Sequence, residues 1–260
     1  MSKIKQAFTQ GKAFIPFLTI GDPNPEKTVE FALALADAGA DLIELGVPFS
    51  DPVAEGSVIQ EASVRALQVG TTTETAFRVV RDIRKQSQIP LVFLLYLNTV
   101  FHYGYERFFQ VCQEIGLDGV IIPDLPLEER EEVATVAGSY GVDIISLIAP
   151  TSKGRIQSIA EKGEGFLYLV SSMGVTGVRK KIETDLTETV KAIRGVTDCP
   201  LAVGFGISTP AQAREMAALS DGAIVGSAIV KIVAEHGEGA VPYLTSYAKA
   251  MKAAVTEASL

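Results

Sequence analysis

The sequence predicts an α/β protein of the (β/α)8 barrel class, folded as one domain over residues 1–260. Three observations carry that expectation. Eight short apolar runs recur along the chain, and amphipathic stretches separate them. Several runs, Leu91-Val92-Phe93-Leu94-Leu95 most clearly, are continuously apolar rather than alternating, as parallel strands covered on both faces are. Eight strand–helix units in a chain of 260 residues match the count and size of a closed barrel. A doubly wound open sheet is the main rival. It normally carries a glycine-rich dinucleotide turn after its first strand. Here that strand runs into Ile20-Gly21-Asp22-Pro23-Asn24-Pro25, which lacks such a turn.

In chain order, strands are expected at 14–20, 42–47, 91–97, 119–123, 144–150, 166–170, 201–205 and 222–225. The segments between them carry helical signals. Residues 26–38 place apolar side chains at helical spacing and stop at Gly39. Residues 73–86 open on a threonine-rich, cap-like cluster, and 128–140 open on acids that suit a helix N-terminus and stop at Gly141. Residues 103–115, 152–162, 185–193 and 210–219 follow the same scheme, a helix follows the eighth strand, and 240–258 close the chain. The units share shape without a shared motif, and no linker or low-complexity stretch divides them.

Composition narrows the function classes. Net charge is −8 and pI is near 4.9, a poor surface for nucleic acid. Cys112 and Cys199 stand far apart, without metal-ligand spacing, and read as buried thiols of a reducing compartment. The start of the chain shows no long apolar segment of a secretory signal, and the apolar runs are too short to span a bilayer. A cytoplasmic protein without membrane contact is expected.

Active residues of a barrel sit at the C-terminal ends of its strands. Asp22, Glu44, Asn98, Asp124, Ser171, Ser172, Ser208 and Ser227 collect there. Glu44 stands inside an apolar run, where a carboxylate is costly unless it is paired or used. A loop rich in Gly, Pro, Ser and Asp then delivers a second carboxylate, Glu55. The alternative is a strand residue satisfied by backbone donors and a solvated loop charge. Other chemistries lack their residues. His102 and His236 fall in unrelated units, which disfavours a histidine-built metal site. No lysine lies in an expected strand to form a Schiff base, and there is no GxSxG elbow. Carboxylate acid/base work remains. Near the end of the chain, Gly204-Phe205-Gly206-Ile207-Ser208 and Gly222-Ala223-Ile224-Val225-Gly226-Ser227-Ala228 follow strands seven and eight. Loops at those places, with a helix N-terminus, are where this fold binds phosphate. The long polar loop through residues 178–184 reads as a lid.

Six stretches occur together and in a fixed order. They are residues 14–23, Glu44-Leu45-Gly46-Val47-Pro48-Phe49-Ser50-Asp51-Pro52, Ile122-Pro123-Asp124-Leu125-Pro126, Gly174-Val175-Thr176-Gly177, Gly204-Phe205-Gly206-Ile207-Ser208 and Gly226-Ser227-Ala228-Ile229-Val230. Across the whole chain the sequence resembles the tryptophan synthase alpha subunit family. The resemblance implies a (β/α)8 barrel that splits indole-3-glycerol phosphate into indole and glyceraldehyde 3-phosphate. It implies an alpha2beta2 complex in which a pyridoxal-phosphate beta subunit receives the indole, and no cofactor in this chain. By the same resemblance, Glu44 is the strand-borne acid/base and Tyr168 lies beside the reacting centre. Thr176 belongs to a closing loop, and Gly177, Gly206, Gly226 and Ser227 hold the phosphate. Phe17, Leu94 and Ile121 line the indole pocket. The family's loop usually reads Asp-Pro-Leu-Ala-Asp-Gly-Pro. Here Glu55 replaces its second, catalytic aspartate and Ser57 its final proline, while some relatives carry arginine where Ser172 stands. The alternative is a non-catalytic or weakly active barrel subunit that mainly activates its beta partner.

Overall fold

The structure is a computed structural model that describes residues 2–149, 154–171 and 186–258. A short helix, α1 (Lys3–Gln6), precedes β1 (Ala13–Thr19), α2 (Pro25–Asp37) and β2 (Ile43–Gly46). Two helices, α3 (Ser57–Gln68) and α4 (Thr73–Arg84), lead to β3 (Leu91–Leu94). Two more, α5 (Leu97–Tyr103) and α6 (Tyr105–Ile115), lead to β4 (Gly119–Ile121). Next come α7 (Arg130–Ser139), β5 (Asp143–Ile148), α8 (Ile156–Glu161), β6 (Leu167–Val170) and α9 (Thr187–Arg194). The chain ends with β7 (Leu201–Gly204), α10 (Pro210–Leu219), β8 (Gly222–Val225), α11 (Ser227–His236) and α12 (Val241–Glu257). The strands pair in parallel in the order β1 to β8, and β8 closes on β1. This is a TIM barrel.

Strand pleat explains why the strands read as continuous apolar runs. Successive side chains point to opposite faces, and both faces are covered. Odd positions of β1, namely Ala13, Ile15 and Phe17, face the barrel interior, while Phe14 and Leu18 pack in the layer between strands and helices. The same alternation puts Leu42, Val92, Ile121, Ile145, Phe166, Ala202 and Ile224 inside. Glu44 shares the inward parity of Leu42, one step nearer the C-terminal rim.

Two differences from the sequence reading bear on the site. The run 91–97 is strand only to Leu94; Tyr96 is the N-cap of α5, and Leu97 begins that helix. The backbone N–H of Leu97 donates to Asp124 Oδ1 at 2.9 Å, so a carboxylate after β4 fixes the start of α5. Helix α3 also fills a segment, 57–68, to which the sequence reading assigns no element. Its buried face, Ile59, Ala62, Ser63 and Ala66, has the helical spacing, but the Gly56 N-cap offers no side-chain cap signal.

Candidate active site

One cavity at the C-terminal rim gathers most of the residues singled out by sequence. Phe17, Glu44, Glu55, Leu94, Tyr168, Gly206, Gly226 and Ser227 all line it. Its wall is mainly apolar, with the two carboxylates and a few other polar groups converging on it, the make-up of a small-molecule site. Strand register explains part of the grouping: Phe17 pairs with Glu44 across β1 and β2, and Tyr168 pairs with Leu147 across β6 and β5.

Glu44 is 2% exposed, and its Oε2 has no hydrogen-bond partner among the described residues. Burial pushes its carboxyl up from the ordinary 4.5 to about 8, and the Glu55 charge adds to the push. Glu55 is also buried. Its carboxyl is raised by desolvation, against the lowering effect of a hydrogen bond from the Tyr96 hydroxyl to Oε2. The Tyr96 oxygen in turn accepts from the backbone N–H groups of Val53 and Ala54, each at 2.9 Å. Tyr168 is buried, and desolvation with the nearby Glu44 raises its phenol well above the usual range, so it stays protonated. Its ring meets Phe205 edge-on at 5.9 Å. Gly204 makes room for that ring, because a Cβ there would lie 2.4 Å from the Tyr168 hydroxyl.

The other end of the cavity is backbone. Phe205 and Gly206 both take left-handed conformations at φ 76°, a costly geometry for phenylalanine of order 1–3 kcal/mol. Gly226 caps α11 and Ser227 is its first residue. The first N–H groups of a helix have no intrahelical acceptor and carry a partial positive charge, so this end of the cavity attracts an anion.

Not every flagged residue reaches the cavity. Ile121 is fully buried in the apolar interior and does not line the cavity; Pro123, two residues on, does. Strand tilt makes register neighbours differ in height, which puts Ile121 below the floor while its neighbour Leu94 reaches it. Asp22 is bound by Arg65 of α3 through Oδ1 at 2.9 Å and Oδ2 at 2.8 Å. The Ser208 N–H and hydroxyl are held by Gln212, and the Ser171 hydroxyl donates to the Phe205 carbonyl. Asn98 lies in α5. Ser172, Thr176, Gly177 and the lid expected through 178–184 lie outside the described residues. The sequence reading missed Tyr96, Leu147 and Phe205. Leu147 was legible from inward parity, whereas Tyr96 was hidden inside an apolar run. Among the described residues, no cluster of three or more His, Cys, Asp or Glu could hold a metal ion. No helix among them is long and apolar enough to cross a membrane.

A closed barrel whose rim cavity is lined by two buried carboxylates and a helix N-terminus has the architecture of a (β/α)8 enzyme. The family model for the tryptophan synthase alpha chain matches residues 2–257. The tryptophan synthase alpha chain of Lacticaseibacillus casei is 48% identical over 255 residues, covering 98% of this chain and 96% of the relative. That of Caldanaerobacter subterraneus is 51% identical over 224 residues, covering 86% of each. A solved structure of Mycobacterium tuberculosis tryptophan synthase superposes with a TM-score of 0.90 at 32% identity, covering 98% of both chains. A chain of the tryptophan synthase α2β2 complex of Pyrococcus furiosus superposes with a TM-score of 0.84 at 35% identity, over 93% of this chain and 98% of that one. The chain belongs to the tryptophan synthase alpha chain family. It is therefore a lyase-type enzyme of tryptophan biosynthesis.

Proposed function

We propose that the chain cleaves indole-3-glycerol phosphate to indole and glyceraldehyde 3-phosphate by a retro-aldol reaction, with no cofactor of its own. The observation that carries this reading is the unpartnered, buried Oε2 of Glu44, a residue that lines the same cavity as the Gly226–Ser227 helix start. A carboxyl raised to about 8 is protonated at neutral pH and can act as an acid. Glu44 donates its proton to C3 of the indole ring, which leaves an iminium cation at the ring nitrogen. It then takes the proton of the side-chain hydroxyl. The bond from C3 to the side chain breaks, its electron pair returns to the ring, and the hydroxyl-bearing carbon becomes the aldehyde. Glu44 ends as it began. Glu55 accepts a hydrogen bond from the ring N–H, and its charge stabilises the cation. Phe17 and Leu94 flank the ring, and Tyr168 stands beside the reacting centre. Gly206, Gly226 and Ser227 hold the phosphate, and binding there orients the reacting carbon. Thr176 and Gly177, outside the described residues, complete this assignment as the family resemblance implies.

The partner in this reading is a pyridoxal-phosphate beta subunit in an alpha2beta2 assembly, the form described for the Pyrococcus furiosus relative. Val53 on the β2–α3 loop and Phe101 on α5 expose 74% and 69% of their surface, apolar area that a partner would cover. The test is direct: incubate the pure chain with indole-3-glycerol phosphate and assay indole and glyceraldehyde 3-phosphate together, with Glu44→Gln as control. Equimolar products from the parent and none from the variant are expected. Turnover by Glu44→Gln at the parent rate would end this assignment.

A further inference from the structure

We propose that Tyr96 is a positioning residue of this site: its hydroxyl ties the Glu55 carboxylate to the backbone of Val53 and Ala54 and so sets the place from which Glu55 acts. The proposal rests on the role given to Glu55 above.

The hydrogen-bond inventory of a phenol is one donor and two acceptor positions. Tyr96 uses all three. It donates to Glu55 Oε2 and accepts from the N–H groups of Val53 and Ala54 at 2.9 Å each. No proton or lone pair remains for a substrate, so Tyr96 acts through Glu55 and not on the reacting atoms. The Tyr96 ring also packs on Phe49, at 5.0 Å between centroids, near the start of the same loop. The β2–α3 loop is thus wrapped around one buried side chain.

The anchor itself is fixed. Tyr96 is 3% exposed and directly follows β3 as the N-cap of α5, whose first N–H is held by Asp124. At the far end of the loop, Gln60 Nε2 donates to the Glu55 carbonyl at 2.9 Å. Side chain and backbone of Glu55 are therefore held from two different elements. Side-chain length enters here. A carboxylate one methylene shorter withdraws by about 1.5 Å and loses the Tyr96 hydroxyl. The glutamate is the residue that closes this ring of contacts.

The experiment compares Tyr96→Phe, Glu55→Ala and the double variant in the full chain, with kcat, KM, the pH profile and thermal unfolding measured for each. Tyr96→Phe keeps the ring on Phe49 and removes the three hydrogen bonds. It is expected to lower kcat by about ten- to hundredfold, the scale of a misplaced catalytic group, with KM changed far less. Its acid limb should move to higher pH, because the lost bond is the larger of the two hydrogen bonds that hold the Glu55 carboxyl down against burial. In the Glu55→Ala background the same change should leave kcat within about twofold. Glu55→Asp supplies a second arm with Tyr96 intact, and it should show the same upward move of the acid limb. A Tyr96→Phe protein with the parent kcat and pH profile overturns the proposal, as do losses that multiply in the double variant. If Glu55→Ala alone retains the parent kcat, the role of Glu55 fails first and this inference falls with it. If only the Tyr96 variants are silent, the inference fails alone.

Discussion

Glu44 couples activity to stability through a single proton. Its ordinary value of 4.5 applies to the unfolded chain, and burial raises the folded value to about 8. The folded state therefore holds the proton more tightly. The stability associated with that proton is complete below about pH 4.5 and is lost as pH rises through 8, at up to about 1.4 kcal/mol per pH unit. Glu44→Gln removes the titration and keeps the shape. Thermal unfolding of the variant should match the parent near pH 4.5 and exceed it increasingly toward pH 8, while kcat falls by about 10²–10⁴-fold. Parallel pH–Tm curves for the two proteins would show that the carboxyl is not buried as an acid. Glu55 gives a second prediction at this scale. Its carboxylate already reaches Tyr96, so the loop is fitted to the longer side chain. Glu55→Asp, which restores the residue usual in the resembled family, should lower kcat rather than raise it, and steady-state rates on the two proteins decide the sign.

At the scale of elements, two parts of the cavity wall come from different local physics and respond to different changes. The α11 end is a backbone site. A Cβ at Gly226 would find its nearest neighbours at 3.7 Å, ordinary van der Waals contact. Gly226→Asp then places a negative charge at the helix start, and affinity for glycerol phosphate should fall at least tenfold with unchanged circular dichroism; calorimetry reads the first and far-ultraviolet spectra the second. The β7 strand end is a packing site. Gly204→Ala puts a methyl group 2.4 Å from the Tyr168 hydroxyl, and urea unfolding should show a loss of about 1–3 kcal/mol together with reduced kcat. The elements themselves were largely legible. Eight strands stand where apolar runs predicted them because burial on both faces writes an unambiguous pattern. The failures have local causes. Helix α3 begins at a glycine cap inside a turn-rich segment, so its apolar spacing was overshadowed by loop composition. Tyr96 looked like strand because an aromatic in an apolar run reads as core, and nothing local announces that its hydroxyl will bind a loop more than forty residues earlier. Ile121 shows the opposite limit: the resemblance implied a pocket residue, and its side chain does face inward, but height along the barrel axis depends on strand tilt, which no single strand records.

The whole molecule makes the β2–α3 loop a shared resource. One face of that loop presents Glu55 to the cavity through Tyr96, and Val53, two residues before Glu55, is 74% exposed on the outside. A partner subunit that covers Val53 therefore bears on the backbone whose N–H groups fix the Tyr96 hydroxyl. A ligand that orders the cavity and a partner that orders the outside favour the same arrangement of this loop, so each should strengthen the other's binding. Linkage requires the two effects to be equal: if the partner tightens glycerol phosphate binding by a given factor, glycerol phosphate tightens partner binding by that same factor, and coupling of this kind is commonly about 5- to 150-fold. The measurement is a thermodynamic square, with calorimetric Kd values for a beta subunit with and without saturating glycerol phosphate, and for glycerol phosphate with and without the beta subunit. Val53→Ser should weaken partner binding at both ligand levels. Tyr96→Phe should leave partner binding without ligand nearly unchanged and reduce the coupling factor toward one, because it cuts the tie between the two faces of the loop. Full coupling in Tyr96→Phe would place the communication in another element of the rim.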